Sequence, residues 1–131
     1  MIVVDASALI EVLLATGAGA RVSARLFRGE ETLHAPHLLD LEIVHVLRRS
    51  CLIGQLRPHR AAEALADLSD LRLVRHPHEP YVPRIWALRH NLTAYDAAYV
   101  ALAEALESPL VTRDTRMASA HGHRAKIELI E

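Results

Sequence analysis

Short apolar runs alternate with longer stretches of helical spacing along the whole chain, and few folds accommodate that alternation. Met1 to Val4 is β-branched and reads as a buried first strand. Ala6 to Leu14 carries Leu9, Val12 and Leu13 at helical intervals. Gly17 and Gly19 break that pattern, and a second helix is expected from about Ala20 to Phe27. Thr32 to His34 reads as a second strand. Pro36 suits the first turn of a helix over His37 to Ile53, which Gly54 ends. Pro58 opens a helix through Ala61, Ala64, Leu65 and Leu68, and Leu71 to Val74 reads as a third strand. Pro80 and Pro83 precede a helix through Ile85, Trp86 and Leu88. Thr93 is placed to cap another helix, reaching about Leu106. Pro109 to Thr112 and Ile127 to Ile130 read as strands on either side of a short helix from Asp114 to Ala120.

Strands joined through helices run parallel, because the crossover returns the chain to the edge it left. The expected fold is therefore α/β: three layers, with a central, mainly parallel sheet of short strands flanked by helices. The 131 residues suit one domain, 1–131, with no internal repeat or linker. Hydrophobic residues make up 51% of the chain and aromatics only 4%, so the core is built from Ala, Leu, Val and Ile.

The formal net charge is −1, which excludes a broad basic surface. Any nucleic-acid contact must use local positive charge, or be weak and brief. Arginine supplies the cations, Lys126 being the only lysine. Cys51 is the single cysteine, so no intrachain disulfide forms; its apolar helical setting predicts a buried, inert thiol. The N-terminus lacks a basic leader segment and no uncharged run reaches membrane-spanning length, so a soluble, cytoplasmic protein is expected.

Asp5, Glu42, Asp96 and Asp114 carry the chemistry. Asp5 and Asp114 follow apolar strands, at the carboxyl ends where ligands gather in open α/β sheets. Glu42 neighbours Leu38, Leu39 and Val46 at helical spacing, and Asp96 neighbours Leu92, Val100 and Ala103. Ionised carboxylates in such settings cost several kcal/mol each and repel one another. A divalent cation reverses that penalty, and Mg²⁺ and Mn²⁺ favour oxygen ligands. Each acid also has an ordinary explanation. Asp5 and Asp114 fit helix N-caps, Asp96 fits a capping box with Thr93, and Glu42 has Arg49 and His45 within helical reach.

The stretches VVDASALIEVLL, LLDLEIVHVLRR, LTAYDAAYVALAEAL and PLVTRD resemble, in order and separation, the successive acidic motifs of PIN domains, in particular VapC toxins. The resemblance spans nearly the whole chain. It implies a Mg²⁺- or Mn²⁺-dependent endoribonuclease leaving a 5′-phosphate and a 3′-hydroxyl, with Asp5, Glu42, Asp96 and Asp114 as catalytic, metal-holding residues. Ser7 and Thr112 match small hydroxyl positions that orient carboxylates. Some relatives carry a further acid after the fourth, whereas Thr115 and Arg116 stand here, which weakens the hold on a second ion. A VapB-like antitoxin and a homodimer are also implied. Ala6 to Leu14 and His37 to Ile53 are candidate walls of the groove that such a partner covers.

Arg113 and Arg116 flank Asp114 and are candidate phosphate contacts, and Tyr95 is a candidate base-stacking ring. Tyr99 reads as core, and Arg48 and Arg49 as a basic rim or a helix C-terminal complement. The pairs His76–Pro77–His78 and His121–Gly122–His123 lack zinc-site spacing and are expected in exposed loops. No Gly-rich phosphate loop or G-x-S-x-G elbow is present. Competing readings are an RNA-processing nuclease without an antitoxin, and a noncatalytic RNA- or protein-binding module on the same fold. A phosphoacceptor receiver domain fits poorly, since Asp5 stands alone and Lys126 is misplaced.

Overall fold

The computed structural model describes all residues, Met1–Glu131. Five strands form one sheet: β1 (Ile2–Val4), β2 (Leu33–Pro36), β3 (Leu73–His76), β4 (Leu110–Thr112) and β5 (Ile127–Leu129). Their order is β3-β2-β1-β4-β5 and every pairing is parallel. The expected α/β sheet is borne out, with no antiparallel member.

Seven helices connect the strands: α1 (Ala6–Leu13), α2 (Gly17–Leu26), α3 (Leu38–Leu52), α4 (Pro58–Asp70), α5 (Val82–Ala87), α6 (Ala94–Leu106) and α7 (Thr115–Ser119). A 3₁₀ turn at Glu79–Tyr81 leads into α5. Helices α1 to α4 pack on one another, while α6 lies over β1, β2 and β4. The strands between them are accordingly saturated: Ile2, Val3, Val4, Leu110, Val111 and Thr112 are all wholly buried. No single helix is long and apolar enough to cross a membrane.

Three boundaries differ from expectation. Helix α2 begins at Gly17, because Thr16 caps it by accepting from the Gly19 backbone N–H at 3.0 Å. Gly19 is needed for another reason: a Cβ there would lie 2.2 Å from the Glu11 carbonyl oxygen, so α1 and α2 meet backbone to backbone. Pro36 does not open α3; it closes β2, opposite His76. Strand β3 runs two residues further than Leu71 to Val74, because pairing with β2 sets its span. His76 is therefore a half-buried strand residue, not a loop residue, and its Nε2 lies 2.9 Å from Nδ1 of buried His34. Gly54, in the left-handed region at φ +78°, ends α3 as expected. Cys51 is half-buried at the margin of the core.

The chain builds the sheet outward from β1 to β3, then returns to the opposite side of β1 to lay down β4 and β5. The strand order thus reverses between β1 and β4. A crevice opens at the carboxyl ends of those two strands, and Asp5 and Asp114 stand at its lip.

Candidate active site

Asp5 is only 5% exposed, directly beyond β1. It occupies the N-cap position of α1 but makes no capping bond with its side chain. Its Oδ2 instead accepts from Ser7 Oγ at 2.6 Å and from Thr112 Oγ1 at 2.7 Å. Each hydroxyl oxygen in turn accepts a backbone N–H: Arg113 N–H to Ser7 at 3.0 Å and Asp114 N–H to Thr112 at 3.0 Å. With those lone pairs occupied, both hydroxyl protons turn to Asp5. Ser7 and Thr112 thus both hold the same oxygen of Asp5.

Glu42 reaches the crevice from α3 and Asp96 from the first turn of α6. Neither Arg49 nor His45 pairs with Glu42. Its Oε1 accepts the phenolic O–H of Tyr99 at 2.6 Å. Tyr99 is core, as its spacing suggested, but its hydroxyl has a polar task that sequence reasoning missed; its position one turn after Asp96 was the available signal. Asp114 caps α7, with Oδ1 accepting from Arg116 N–H at 2.8 Å and Met117 N–H at 3.3 Å. Thr93 caps α6 by accepting the Asp96 N–H at 3.1 Å.

In Glu42 and Asp114 one carboxylate oxygen is committed and the other makes no hydrogen bond within the protein; Thr93 beside Asp96 and the Ala6 amide beside Asp5 favour the ionised forms of those two acids. The only fully buried side-chain polar atom without a partner is Arg113 Nε. No arginine or lysine forms an ion pair with any of the four, although Glu11, Asp40, Glu104 and Glu128 are all paired. Burial pushes the Asp5 carboxyl above its ordinary range, and Asp114 adds to the effect. Burial likewise raises Glu42, with Asp5 and Asp96 contributing, and it raises Asp96, with Asp114 and Asp5 contributing. The four groups therefore converge on one electrostatic site.

This donor set suits a hard divalent cation: only oxygens, negatively charged and unneutralised. No three of them stand at the spacing of direct ligands to one ion.

The remaining candidates separate. Arg113 is occupied, its Nη1 pairing with Glu11 Oε1 at 2.9 Å, a partner that sequence reasoning overlooked. Arg116 is exposed and makes no side-chain bond. Tyr95, 67% exposed, borders an apolar hollow with Leu38, Leu41 and Val46 beside Glu42. Asp96 borders a second, polar hollow.

The sequence matches the PIN domain family over residues 2–122. The chain is 44% identical to Ribonuclease VapC12 of Mycobacterium tuberculosis over 130 residues, covering 99% of each. It is 46% identical to Ribonuclease VapC1 of the same organism over 129 residues, 98% of this chain and 96% of that one. The chain belongs to the PIN domain family, in its VapC branch. Among solved structures, PAE2754 from Pyrobaculum aerophilum superposes with a TM-score of 0.67 at 28% identity, covering 88% of this chain and 81% of that one. VapBC2 from Rickettsia felis, bound to a DNA fragment from their promoter, gives a TM-score of 0.72 over 100% of both chains; at 13% identity it shares the fold. In this PIN domain the crevice between β1 and β4 is thus the place where the four acidic motifs of the sequence meet.

Proposed function

We propose that this protein is a divalent-metal-dependent endoribonuclease acting as the toxin of a toxin–antitoxin pair, with Asp5, Glu42, Asp96 and Asp114 as its catalytic acids. Family membership and near full-length similarity to proteins named as VapC ribonucleases support the activity. The observation that carries the site is the convergence of four carboxylates without a single compensating ion pair.

Mg²⁺ or Mn²⁺ held there would neutralise these charges and make a bound water acidic enough to attack a phosphodiester at neutral pH. The protein's part is orientation. Ser7 and Thr112 lock one Asp5 oxygen and so aim the other into the crevice. Tyr99 does the same for Glu42, and the first amides of α7 do it for Asp114. Tyr95, exposed beside Glu42, suits stacking with an unpaired base of the RNA.

A VapB-like antitoxin and a second copy of the chain are the expected partners, in the cytoplasm. Helix α3 supports partner binding more than α1 does. Leu41 and Leu52 are 72% and 68% exposed on α3, whereas most apolar residues of α1 are buried in the core.

The test is replacement of Asp5 or Asp96 by Asn in the purified protein. Metal-dependent RNA cleavage is expected to disappear in both; its retention would falsify these assignments.

A further inference from the structure

Beside Asp96 lies a hollow of about 440 Å³, walled by Arg89, His90, Asn91, Leu92, Thr93 and Arg116. Its cationic walls stand out on a molecule whose net charge is −1. Arg25, Arg75, Arg84 and Arg113 are all spent on carboxylates. Arg89 and Arg116 are not.

Arg89 is also held in place. Its guanidinium sits 4.3 Å from the ring centroid of Trp86, and its Nη1 donates to the Trp86 carbonyl at 3.0 Å. A ring face and a carbonyl fix a guanidinium without cancelling its charge. The side chain therefore meets an anion with part of its ordering cost already met. Arg116, which also lines the hollow, makes no side-chain hydrogen bond and no ion pair.

Resting on the ribonuclease reading above, we infer that this hollow binds a phosphodiester flanking the scissile one on a single-stranded RNA, with Arg89 and Arg116 as its charge partners. A planar, forked guanidinium suits phosphate oxygens, and two of them converge here within reach of one catalytic acid. A single strand fits better than a duplex because the hollow borders Asp96 while the exposed Tyr95 ring borders a second, apolar hollow beside Glu42. A strand running through both presents a phosphate to the arginines and an unpaired base to the ring, which a duplex with stacked, paired bases does not.

Trp86 is the only tryptophan, so its emission reports on Arg89 directly. The experiment titrates labelled single-stranded RNA of randomised sequence into the protein in chelator, where the RNA stays intact, at several salt concentrations, beside a matched series in Mg²⁺ that reads cleavage. It follows anisotropy and Trp86 fluorescence, with cleavage of the same pool measured in parallel. Arg89→Gln and Arg116→Gln are each expected to weaken binding and to reduce the slope of log affinity against log salt by about 0.7, one phosphate contact on a single strand. Addition of RNA is expected to change Trp86 emission in wild type and in Arg72→Gln, whose arginine lies at the far, amino end of β3, with the wild-type salt slope in that control. A wild type that cuts RNA while both hollow variants keep its salt slope overturns the hollow alone. A wild type that cuts no RNA overturns the ribonuclease assignment, and the subsite falls with it.

Discussion

Tyr99 on α6 donates its hydroxyl to Glu42 Oε1 on α3 at 2.6 Å, joining residues 57 positions apart. The ring is wholly buried and the proton is firmly held, since burial and the nearby carboxylates raise the phenol's pKa far above its ordinary value. The bond thus always runs from tyrosine to glutamate. Tyr99→Phe keeps the ring and removes only the donor. It is expected to lower Mg²⁺ affinity or cleavage about 10- to 100-fold, the usual scale for groups that orient metal ligands. Isothermal titration with Mg²⁺ beside a thermal melt checks this: unchanged affinity at an unchanged melting temperature would remove Tyr99 from the site.

Thr112 makes a sharper case, because one hydroxyl serves two acids. It donates to Asp5 and accepts the Asp114 N–H. Thr112→Val retains shape but leaves that amide without its acceptor, at a cost of about 1–3 kcal/mol in this wholly buried position. A lower melting temperature and loss of most Mg²⁺-dependent cleavage are expected. Thr112→Ser, which keeps the oxygen, is expected to recover the cleavage; equal defects in Val and Ser variants would point to packing as the cause.

The unpaired acids also set a pH dependence. Asp5, Glu42 and Asp96 titrate above their ordinary values of 3.8, 4.5 and 3.8, chiefly through burial. The folded protein then binds protons more tightly at these sites than the unfolded chain does. Their contribution to stability is complete below the ordinary values and is lost as pH rises through the elevated ones. Glu104 and Glu128, lowered by Arg84 and Arg25, act oppositely and lose their contribution as pH falls. In chelator, Asp5→Asn is therefore expected to gain melting temperature relative to wild type as pH is raised from acid to neutral, and Mg²⁺ to narrow the gap. A difference independent of pH would contradict the burial penalty assigned to ionised Asp5.

Gly19→Ala tests the meeting of α1 and α2. The new methyl would sit 2.2 Å from the Glu11 carbonyl oxygen and 2.7 Å from its carbon, both backbone atoms that cannot swing aside. Overpacking of this kind costs about 1–3 kcal/mol, and the melting temperature should fall by several degrees. Gly17→Ala, with open space at its Cβ, is the matched control and should melt no lower than wild type.

Most of the architecture was legible because it rests on short-range patterns. The β-branched run before Asp5, the Thr93 cap and the stop at Gly54 each lie within a few residues of the structure they specify. Two of the errors fell where a partner strand decided the outcome: Pro36 reads as a helix start and His76 as a loop residue until they pair across β2 and β3. At the site, the four acids could be named from their motifs, yet their local roles did not exclude one another. Asp114 is both a helix cap and a member of the cluster.

The sequence by itself determined which residues are acidic, which segments are apolar, and hence which elements form and in what order. Tertiary structure alone decided that the strand order reverses between β1 and β4 and brings Asp5 beside Thr112 across 107 residues. It also decided that Arg113 is spent on Glu11 while Arg89 and Arg116 keep uncompensated charge. The physical reason is range. Backbone preference and hydrophobic period act between near neighbours, whereas burial, charge pairing and hydrogen-bond direction depend on groups that meet only once the chain has folded.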